Sequence, residues 1–475
     1  MKLITKIIFI ISLLVLFIPK QSILGETKNS DDYFAGQEWY DLVETVEVNR
    51  ELPHAYFIPY QNEQLALSNE QSIFTKDIFK SDYLINLNGE WDFHFAKTPY
   101  EQLSWDNSEN WDTKDWDKIK VPSNVQLQFD NTGFKYDKPI YINMLYSWTN
   151  YEEVKLSEYP KAPTVNNGVS HYKRKFTIDK DWNNRQVFIN FDGIGSAFYV
   201  FVNGVKVGYS EDSYTTHQFN ITKYLNKDAL GNISNIENTI AIQLYRYSDG
   251  SYLENQDMIR LNCIFRDVYL ISKSDVEIRD IFVTTKTEDI TTLNLEASIR
   301  NLSNEKGGNY KVEAVLYNQE GDKVWNEPLI INYELKTFEK DTSKLAKDYG
   351  LMNTSNKTIE NPILWSSEKP YLYRLLVNLY DDSNNIKETT CIRFGIRDIE
   401  LKLLSNNKYQ FTINDKPILI KGVNRHEFDS VQGSAINKDL IINELMLMKQ
   451  NNINAIRTSH YQNNVITYQV ADEIR

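Results

Sequence analysis

The sequence predicts a multidomain, mainly β protein in which two antiparallel β-sandwiches precede the start of a parallel α/β domain. At 475 residues the chain is long enough for about three hydrophobic cores. Up to about residue 398, apolar residues alternate with polar ones in short runs, which is typical of half-buried strands. Beyond that point, short apolar strands are followed by apolar residues at helical spacing, which indicates βα units.

The first sandwich is predicted over residues 51–273, after an N-terminal arm over residues 26–50. Short alternating runs, such as the one at residues 187–191, indicate strands that are buried on one face. Asn203 and Gly204 separate two of these runs, and both residue types accept the positive φ angles of a two-residue hairpin turn. Many short strands joined by such turns predict an antiparallel sandwich.

The second sandwich is predicted over residues 274–398. Apolar residues alternate at 293–299, 312–316 and 375–379, and polar turns follow the last two runs. A unit of roughly 100 residues with this pattern fits an immunoglobulin-like β-sandwich.

Residues 399–475 are predicted to form two successive βα units. The predicted elements are an apolar strand at 417–423, a helix from Lys438 to Gln450 capped by Asn437, a strand at 453–457 and a helix from about Asn464. Two such units cannot close a barrel or cover a parallel sheet. We therefore expect these residues to be the truncated start of a domain that continues beyond residue 475.

Residues 1–25 are predicted to be a signal peptide. A basic start is followed by an apolar run at residues 7–18, whose helical length of about 18 Å is short of the ~30 Å hydrocarbon core. Gly25 is a small residue near the expected cleavage site, whereas Ile23 is larger than is usual there. The sequence therefore predicts a secreted or extracytoplasmic protein, and an uncleaved membrane anchor stays open.

Composition excludes several classes of function. The net charge of −13 argues against a nucleic-acid partner, because phosphate binding requires a basic surface. Cys263 and Cys391 are far apart and lie in no metal-binding motif, so we expect two buried free thiols. The aromatic content of 13% favours strands, and aromatic rings also provide flat faces for sugars.

Two polar clusters follow the two predicted barrel strands. One is GVNRHEFD at residues 422–429, and the other covers residues 457–461. Because catalytic and binding residues of α/β barrels lie at the carboxyl ends of strands, His426 and His460 are predicted to line a polar pocket. A hydrogen-bonded network that only fixes the strand ends is the alternative.

A third polar cluster, residues 245–257, follows a strand of the first sandwich. Asp249, Glu254 and Asp257 lie there among aromatic residues, which suits sugar hydroxyls or a hard cation. The same Ser-Asp-Gly sequence also occurs in ordinary turns, so both interpretations stay open.

Ten motifs in a fixed order resemble the family 2 glycoside hydrolases, and within them the β-galactosidases. This resemblance, from about residue 51 onward, implies a jelly-roll β-sandwich, an immunoglobulin-like sandwich and a (β/α)8 TIM barrel. The motifs are LNGEWDF, VPSNVQ, KPIYIN, FDGIGSAFYVFVNGVKVGYS, SDGSYLENQDM, IFRDVYL, LWSSEKPYLYRL, FGIRDIE, KGVNRHEFD and NAIRTSHY.

The resemblance also assigns binding residues. Asn143 and Asp249 are expected to bind galactose hydroxyls, with Asp249 also holding a sodium ion, and His426 and His460 are expected to contact the sugar. Sodium and magnesium are the implied cofactors, without an organic one. The sequence departs from the family pattern at Phe428-Asp429 and at Gln462, which puts the galactose preference in question.

No catalytic residue is assigned within the chain. A retaining glycosidase needs two carboxyl groups about 5–5.5 Å apart, and the family places both on later barrel strands. Glu427 and Asp429 are the local alternatives. Arg425 is expected to keep Glu427 ionised, so that Glu427 is a poor proton donor and orients Arg425 or His426 instead.

The expected function is retaining hydrolysis of terminal β-D-galactosides by the complete protein, with this chain inactive alone. Another family 2 activity (β-glucuronidase or β-mannosidase) and a galactoside-binding fragment without catalysis are alternatives. A second polypeptide that supplies the rest of the barrel is a further one. The expected partner is a β-galactoside. Contact with a membrane is expected only if the signal segment is not cleaved, and the complete protein either is a monomer or forms a homo-oligomer.

Overall fold

The computed structural model of the protein describes residues 38–104, 111–143, 146–148, 160–164, 166–287 and 290–474. The predicted signal peptide and residues 26–37 of the predicted arm lie outside these ranges. Within them, no helix is both long and apolar enough to cross a membrane.

The first sandwich is antiparallel, as predicted. Its strands are β1 (Glu47–Val48), β2 (Leu84–Asn86), β3 (Gly89–Ala96), β4 (Asp117–Val121), β5 (Phe129–Asp130), β6 (Gly133–Phe134), β7 (Ile140–Ile142), β8 (Val169–Phe176), β9 (Gln186–Phe191), β10 (Ile194–Gly195), β11 (Ala197–Val202), β12 (Val205–Ser210), β13 (His217–Asn220), β14 (Asn238–Tyr245), β15 (Met258–Arg260), β16 (Cys263–Ile264) and β17 (Val268–Lys273). A seven-stranded sheet of order β1-β12-β11-β14-β8-β3-β4 faces a four-stranded sheet of order β13-β9-β17-β2. The core between them contains Trp91, Phe191, Phe198 and Leu270.

The predicted hairpin turn between β11 and β12 is confirmed. Asn203 and Gly204 have φ angles of 49° and 79°, and the flanking Val202 and Val205 are paired. Both positive angles match the right-handed twist of the strands that the turn joins.

The second sandwich has an immunoglobulin-like arrangement of two sheets. Its strands are β18 (Val276–Thr287), β19 (Thr291–Asn301), β20 (Gly308–Tyr317), β21 (Leu329–Leu335), β22 (Leu351–Thr358), β23 (Tyr373–Tyr380) and β24 (Ile386–Phe394). The sheets have the orders β18-β19-β22 and β21-β20-β23-β24. Cys391 on β24 and Cys263 on β16 are buried free thiols, as predicted.

The last part of the chain begins with a three-stranded sheet and ends with two βα units. Its strands are β25 (Ile399–Leu403), β26 (Tyr409–Ile413), β27 (Lys416–Pro417), β28 (Gly422–Arg425) and β29 (Ala455–Thr458). The α-helices within the described residues are α1 (Glu63–Asn69), α2 (Lys344–Tyr349), α3 (Lys438–Gln450) and α4 (Val465–Glu473). The predicted cap is confirmed, because the Asn437 side chain accepts a hydrogen bond from the backbone N–H of Leu440 at 3.0 Å.

The first barrel strand was predicted at the wrong residues. Parallel pairing with β29 places it at Gly422–Arg425 rather than at 417–423. Leu419 and Ile420, which made the earlier residues look like a buried strand, are 74% and 61% exposed. The apolar residues therefore lie just before the strand, and the hydrogen bonds to β29 determine where the strand begins and ends.

The two barrel helices pack against a loop of the N-terminal region. Ile73 is buried in one cluster with Ile441 and Leu445 of α3 and Val470 of α4. At the end of α4, the Glu473 carboxylate accepts a hydrogen bond of 2.7 Å from the backbone N–H of Ile73. This contact thus buries Ile73 against apolar side chains of α3 and α4.

Replacing Ile73 is expected to loosen the two barrel helices selectively. Ile73→Ala removes buried apolar contacts, which typically costs about 2–4 kcal/mol. Hydrogen exchange should then become faster in α3 and α4 while both sandwiches keep their protection. Ile331→Ala, in the core of the second sandwich, should instead speed up exchange in that sandwich and leave α3 and α4 protected. An equal loss of protection throughout the chain in Ile73→Ala would contradict the prediction.

Candidate functional site

A cavity of about 410 Å³ lies where a loop of the first sandwich faces the end of β28. The loop covers residues 246–261 and supplies ten of the 23 lining residues that the structure describes, while His426, Glu427, Phe428 and Tyr461 come from the barrel segment. The wall combines aromatic rings with hydrogen-bonding groups, which is typical of pockets that bind small polar molecules. The remaining lining residues are Tyr141, Ser147, Trp148, Gly195, Ser196, Ser213, Tyr214, Arg246, Tyr247, Ser251, Glu254, Asn255, Asp257, Met258, Ile259, Arg260, Leu261, Phe265 and Ser434.

Local hydrogen bonds and one strand pairing hold the 246–261 loop in place. It begins with a 3₁₀ turn, Asp249–Tyr252, capped by Ser248, whose backbone N–H donates to the Ser251 hydroxyl at 2.9 Å. Further along, β15 pairs with β7. The Asn262 amide donates to the backbone oxygen of Tyr245 at 3.1 Å and so ties the end of the loop to its beginning.

The parallel strands β28 and β29 bring the two predicted histidines together. Their ring centroids are 6.2 Å apart. His426 is half-buried and lines the cavity, whereas His460 is exposed and lies beside it. Burial lowers the pKa of His426, the neighbouring His460 lowers it further, and Asp257 opposes this. Neutral His426 at physiological pH can both donate and accept a hydrogen bond.

Asp249 lies behind the cavity wall, beside a second carboxyl group. Its Oδ1 accepts a hydrogen bond of 2.9 Å from the backbone N–H of Gly250, and its buried Oδ2 has no hydrogen-bond partner among the residues that the structure describes. Burial raises the pKa of Glu211 to about 9, a hydrogen bond from Tyr209 opposes the rise, and the charge of Asp249 adds to it. Two buried carboxyl groups side by side require a shared proton or a cation.

Asn143 directly follows β7 and is exposed. It is not among the residues that line the cavity, although Tyr141 on the same strand is. Of the four predicted binding residues, the described structure therefore places His426 in the cavity wall and His460 and Asp249 next to it, while Asn143 is not part of the lining.

Glu427 does not orient His426, and its main partner is not Arg425. Its Oε2 accepts a 2.7 Å hydrogen bond from Arg266, and its Oε1 accepts one of 2.9 Å from the backbone N–H of Asn464 at the start of α4. The nearest approach to Arg425 is 3.8 Å. The predicted contact between Glu427 and Arg425 is thus present but longer than the one with Arg266, because Arg425 also binds Glu444 on α3 at 2.7 Å.

Glu254 is the other carboxyl group of interest in the wall. Its two oxygens accept hydrogen bonds of 2.6 and 2.8 Å from the backbone N–H and the hydroxyl of Ser213. Burial raises the pKa of Glu254 to about 7, and the hydrogen bonds from Ser213 oppose the rise. Because both oxygens are engaged, the geometry favours a structural role in holding the loop.

Three lining or bordering residues were not singled out from the sequence. Tyr214 and Tyr461 stack with their ring centroids 4.0 Å apart, and Arg266 bridges from the first sandwich to Glu427. All three lie in or next to the quoted motifs, but their importance depends on contacts across domains that no local pattern reveals.

Three family descriptions match consecutive parts of the chain. Residues 84–274 match the sugar binding domain of glycosyl hydrolases family 2, residues 276–397 match the description glycosyl hydrolases family 2, and residues 405–474 match the TIM barrel domain of that family. The chain belongs to glycosyl hydrolase family 2. The cavity of this family 2 chain thus lies between its sugar binding domain and the start of its TIM barrel.

Among similar proteins of known name, a β-galactosidase of Priestia megaterium is 39% identical over 440 residues, and a β-galactosidase of Halalkalibacterium halodurans is 34% identical over 388. These alignments cover 92% and 82% of this family 2 chain but only 39% and 34% of the relatives' lengths.

Solved structures agree on the fold. A β-glucuronidase of Bacteroides uniformis matches with a TM-score of 0.63 at 20% identity, and a family 2 member from Bacteroides cellulosilyticus with 0.61 at 19%. Both matches cover 82% of this chain, and they cover 41% and 45% of the respective structures.

Proposed function

We propose that a protein carrying this chain together with a closed barrel is a retaining β-galactosidase. In this proposal the galactose unit is bound by His426 in the cavity wall together with Asn143, Asp249 and His460, which lie outside the lining itself. The observation that carries the proposal is the meeting of the 246–261 loop with His426 in one cavity. The names of the relatives at 39% and 34% identity support galactose as the sugar.

The charges in the wall favour a neutral sugar over a glucuronide. A glucuronide carboxylate would need a free cationic group, yet Arg246 is bound to Asp137 and to the backbone oxygen of Lys138. Arg260 donates to the backbone oxygen of Glu254 at 2.9 Å and to Asn255 at 2.7 Å. The terminal nitrogens of both guanidinium groups thus bind oxygens of the protein, whereas each Nε has no partner among the described residues. This arrangement supports a galactoside rather than an acidic sugar.

Galactoside binding by the chain itself tests the proposal. We expect calorimetric titration with methyl β-D-galactopyranoside to give a Kd of about 1 mM, and His426→Ala to weaken binding about 3–10-fold through loss of a hydrogen bond. His94→Ala, in the first sandwich and away from the lining of the cavity, is the matched control and should leave Kd unchanged. Tighter binding of the corresponding glucuronide or mannoside would contradict the proposal.

We further propose that Asp249 binds a sodium ion. Its unpartnered buried Oδ2 next to the Glu211 carboxyl suits a hard cation, for which carboxylate oxygens are preferred ligands. The described residues contain no group of three acidic, histidine or cysteine ligands, so the other ligands would be carbonyl, hydroxyl or water oxygens. Bound sodium would compensate one negative charge of this carboxyl pair and hold Asp249 in place behind the cavity wall. A magnesium site is not assigned to any residue here.

Sodium binding has a direct readout. The ²³Na resonance should broaden in the presence of the chain, and Asp249→Asn should remove this broadening because it removes the anionic ligand. Asp257→Asn, an exposed change on the same loop, should leave the broadening intact. Equal broadening by the Asp249→Asn variant would contradict the assignment.

We also propose that the protein is exported and that its first 25 residues are removed as a signal peptide. The basic start and the short apolar run support this proposal. Mass spectrometry of the mature N-terminus tests it, and an intact Met1 on exported protein would contradict cleavage.

A further inference from the structure

Arg266 connects the sugar binding domain to both barrel strand ends. It follows β16 and is 5% exposed. Its Nη1 donates to the backbone oxygens of Tyr214 and Asp192 at 2.9 and 3.2 Å, within its own domain. Its Nη2 donates to the Glu427 carboxylate and to the backbone oxygen of Gln462, both at 2.7 Å. One guanidinium group thereby fixes two domains to each other.

The two barrel contacts of Arg266 are next to the two histidines. Glu427 directly follows His426 after β28, and Gln462 lies two residues beyond His460 after β29. A shift of Arg266 would therefore move both histidines relative to the 246–261 loop. A buried planar guanidinium suits this task because its donors have a fixed geometry.

A pair of tyrosines reinforces the same connection. Tyr214 of the sugar binding domain stacks on Tyr461 of the barrel with an interplanar angle of 17°. The Tyr461 hydroxyl accepts a 3.0 Å hydrogen bond from the backbone N–H of Glu427 and lies 3.5 Å from Nδ1 of His426. Ring stacking and the Arg266–Glu427 pair thus hold the same short segment from two sides.

Gly193 leaves the space that Arg266 occupies. A Cβ atom at this position would lie 2.8 Å from Cδ of Arg266 and 2.8 Å from the Phe265 ring. Even an alanine would therefore displace the Arg266 side chain without changing any charge.

We propose that Arg266 is a positioning residue, which sets the placement of His426 and His460 against the 246–261 loop and thereby the affinity for the galactoside. The proposal rests on the proposed function for its ligand, but the placement of the histidines can be measured without a ligand. Arg266 acts through Glu427 and Gln462 and does not itself touch the sugar.

Histidine NMR on the 475-residue chain tests the proposal. With ¹³C-labelled histidine, we expect Arg266→Gln to shift the resonances of His426 and His460. Burial and the neighbouring His460 lower the pKa of His426, so this pKa should rise toward its ordinary value when the ring is displaced. The other groups that face His426 are Asp257 and Tyr461. The Kd for methyl β-D-galactopyranoside should increase about tenfold.

Arg185→Gln is the matched control, because Arg185 is a guanidinium that hydrogen-bonds Ser272 within the sugar binding domain. It should leave both histidines and Kd unchanged. If Arg266→Gln does not fold, Gly193→Ala should shift the same resonances in the same direction.

A folded variant with the resonances of both histidines unchanged would overturn the positioning role. Histidine shifts without any galactoside binding by the unmodified chain would instead uphold the positioning role and overturn the proposed function.

Discussion

The purified 475-residue chain is expected to hydrolyse 4-nitrophenyl β-D-galactopyranoside at least about 10⁴-fold more slowly than a β-galactosidase with a closed barrel. Retaining hydrolysis needs one carboxylate as nucleophile and one carboxyl as general acid and base. In the cavity, Glu427 is bound to Arg266 and to the start of α4, and both oxygens of Glu254 are bound by Ser213. Asp257 also lines the cavity and accepts a hydrogen bond of 2.8 Å from the Tyr141 hydroxyl. At most one of these three carboxyl groups is therefore free, whereas the reaction needs two.

The two local carboxyl groups also provide the controls for this experiment. Glu254→Gln and Glu427→Gln should leave any residual release of nitrophenol unchanged. A wild-type rate within tenfold of that of the Priestia megaterium relative, or a loss of the residual rate in either variant, would show that the chain has its own catalytic carboxyl group.

Arg300→Met is expected to lower the free energy of unfolding by about 3–5 kcal/mol, because it leaves the buried Glu277 carboxylate with too little compensating charge. Arg300 binds Glu277 at 2.5 Å near the junction of the two sandwiches. Burial by itself would raise the pKa of Glu277, but the charges of Arg300, Lys273 and Arg279 lower it to about 2. Urea unfolding at neutral pH measures the effect.

The direction of the pH dependence follows from the lowered pKa. Glu277 stabilises the folded chain above its unfolded pKa of about 4.5, and this contribution is lost as the pH falls toward 2. In Arg300→Met, the free energy of unfolding should decrease less steeply over the same pH range than in the wild-type chain. The reason is that the pKa of Glu277 in the folded variant is closer to its value in the unfolded chain.

An exposed ion pair serves as the comparison. Lys306 binds Asp275 at 2.8 Å with the lysine side chain 51% exposed, so Lys306→Met should cost less than about 1 kcal/mol. Equal costs for Arg300→Met and Lys306→Met would contradict this account.

Elements that depend on neighbours in sequence were predicted correctly. The Asn203-Gly204 turn and the cap at Asn437 are both set within a few residues, by allowed φ angles and by one side-chain hydrogen bond. The alternating strands of both sandwiches followed from the two-residue period of a pleated sheet.

Elements that depend on distant partners were predicted less well. The first barrel strand lies at Gly422–Arg425 rather than at 417–423, since its hydrogen bonds to β29 decide its limits. Glu427 was assigned to its sequence neighbours, yet Arg266, 161 residues away, is its partner. Asn143 belongs to a family motif, is exposed and is not part of the cavity lining, so its binding of galactose stays a prediction.

The sequence by itself determined the order of the three domains, the family, and the placement of two histidines after neighbouring parallel strands. These features follow from periodicity and motifs, which are written in consecutive residues. Only the tertiary structure decided which loop faces His426, that Asp249 lies against Glu211, and that Arg266 joins two domains. Such contacts form because packed sheets bring residues that are far apart in sequence within hydrogen-bond distance. The spacing of residues along the chain does not predict which of them meet.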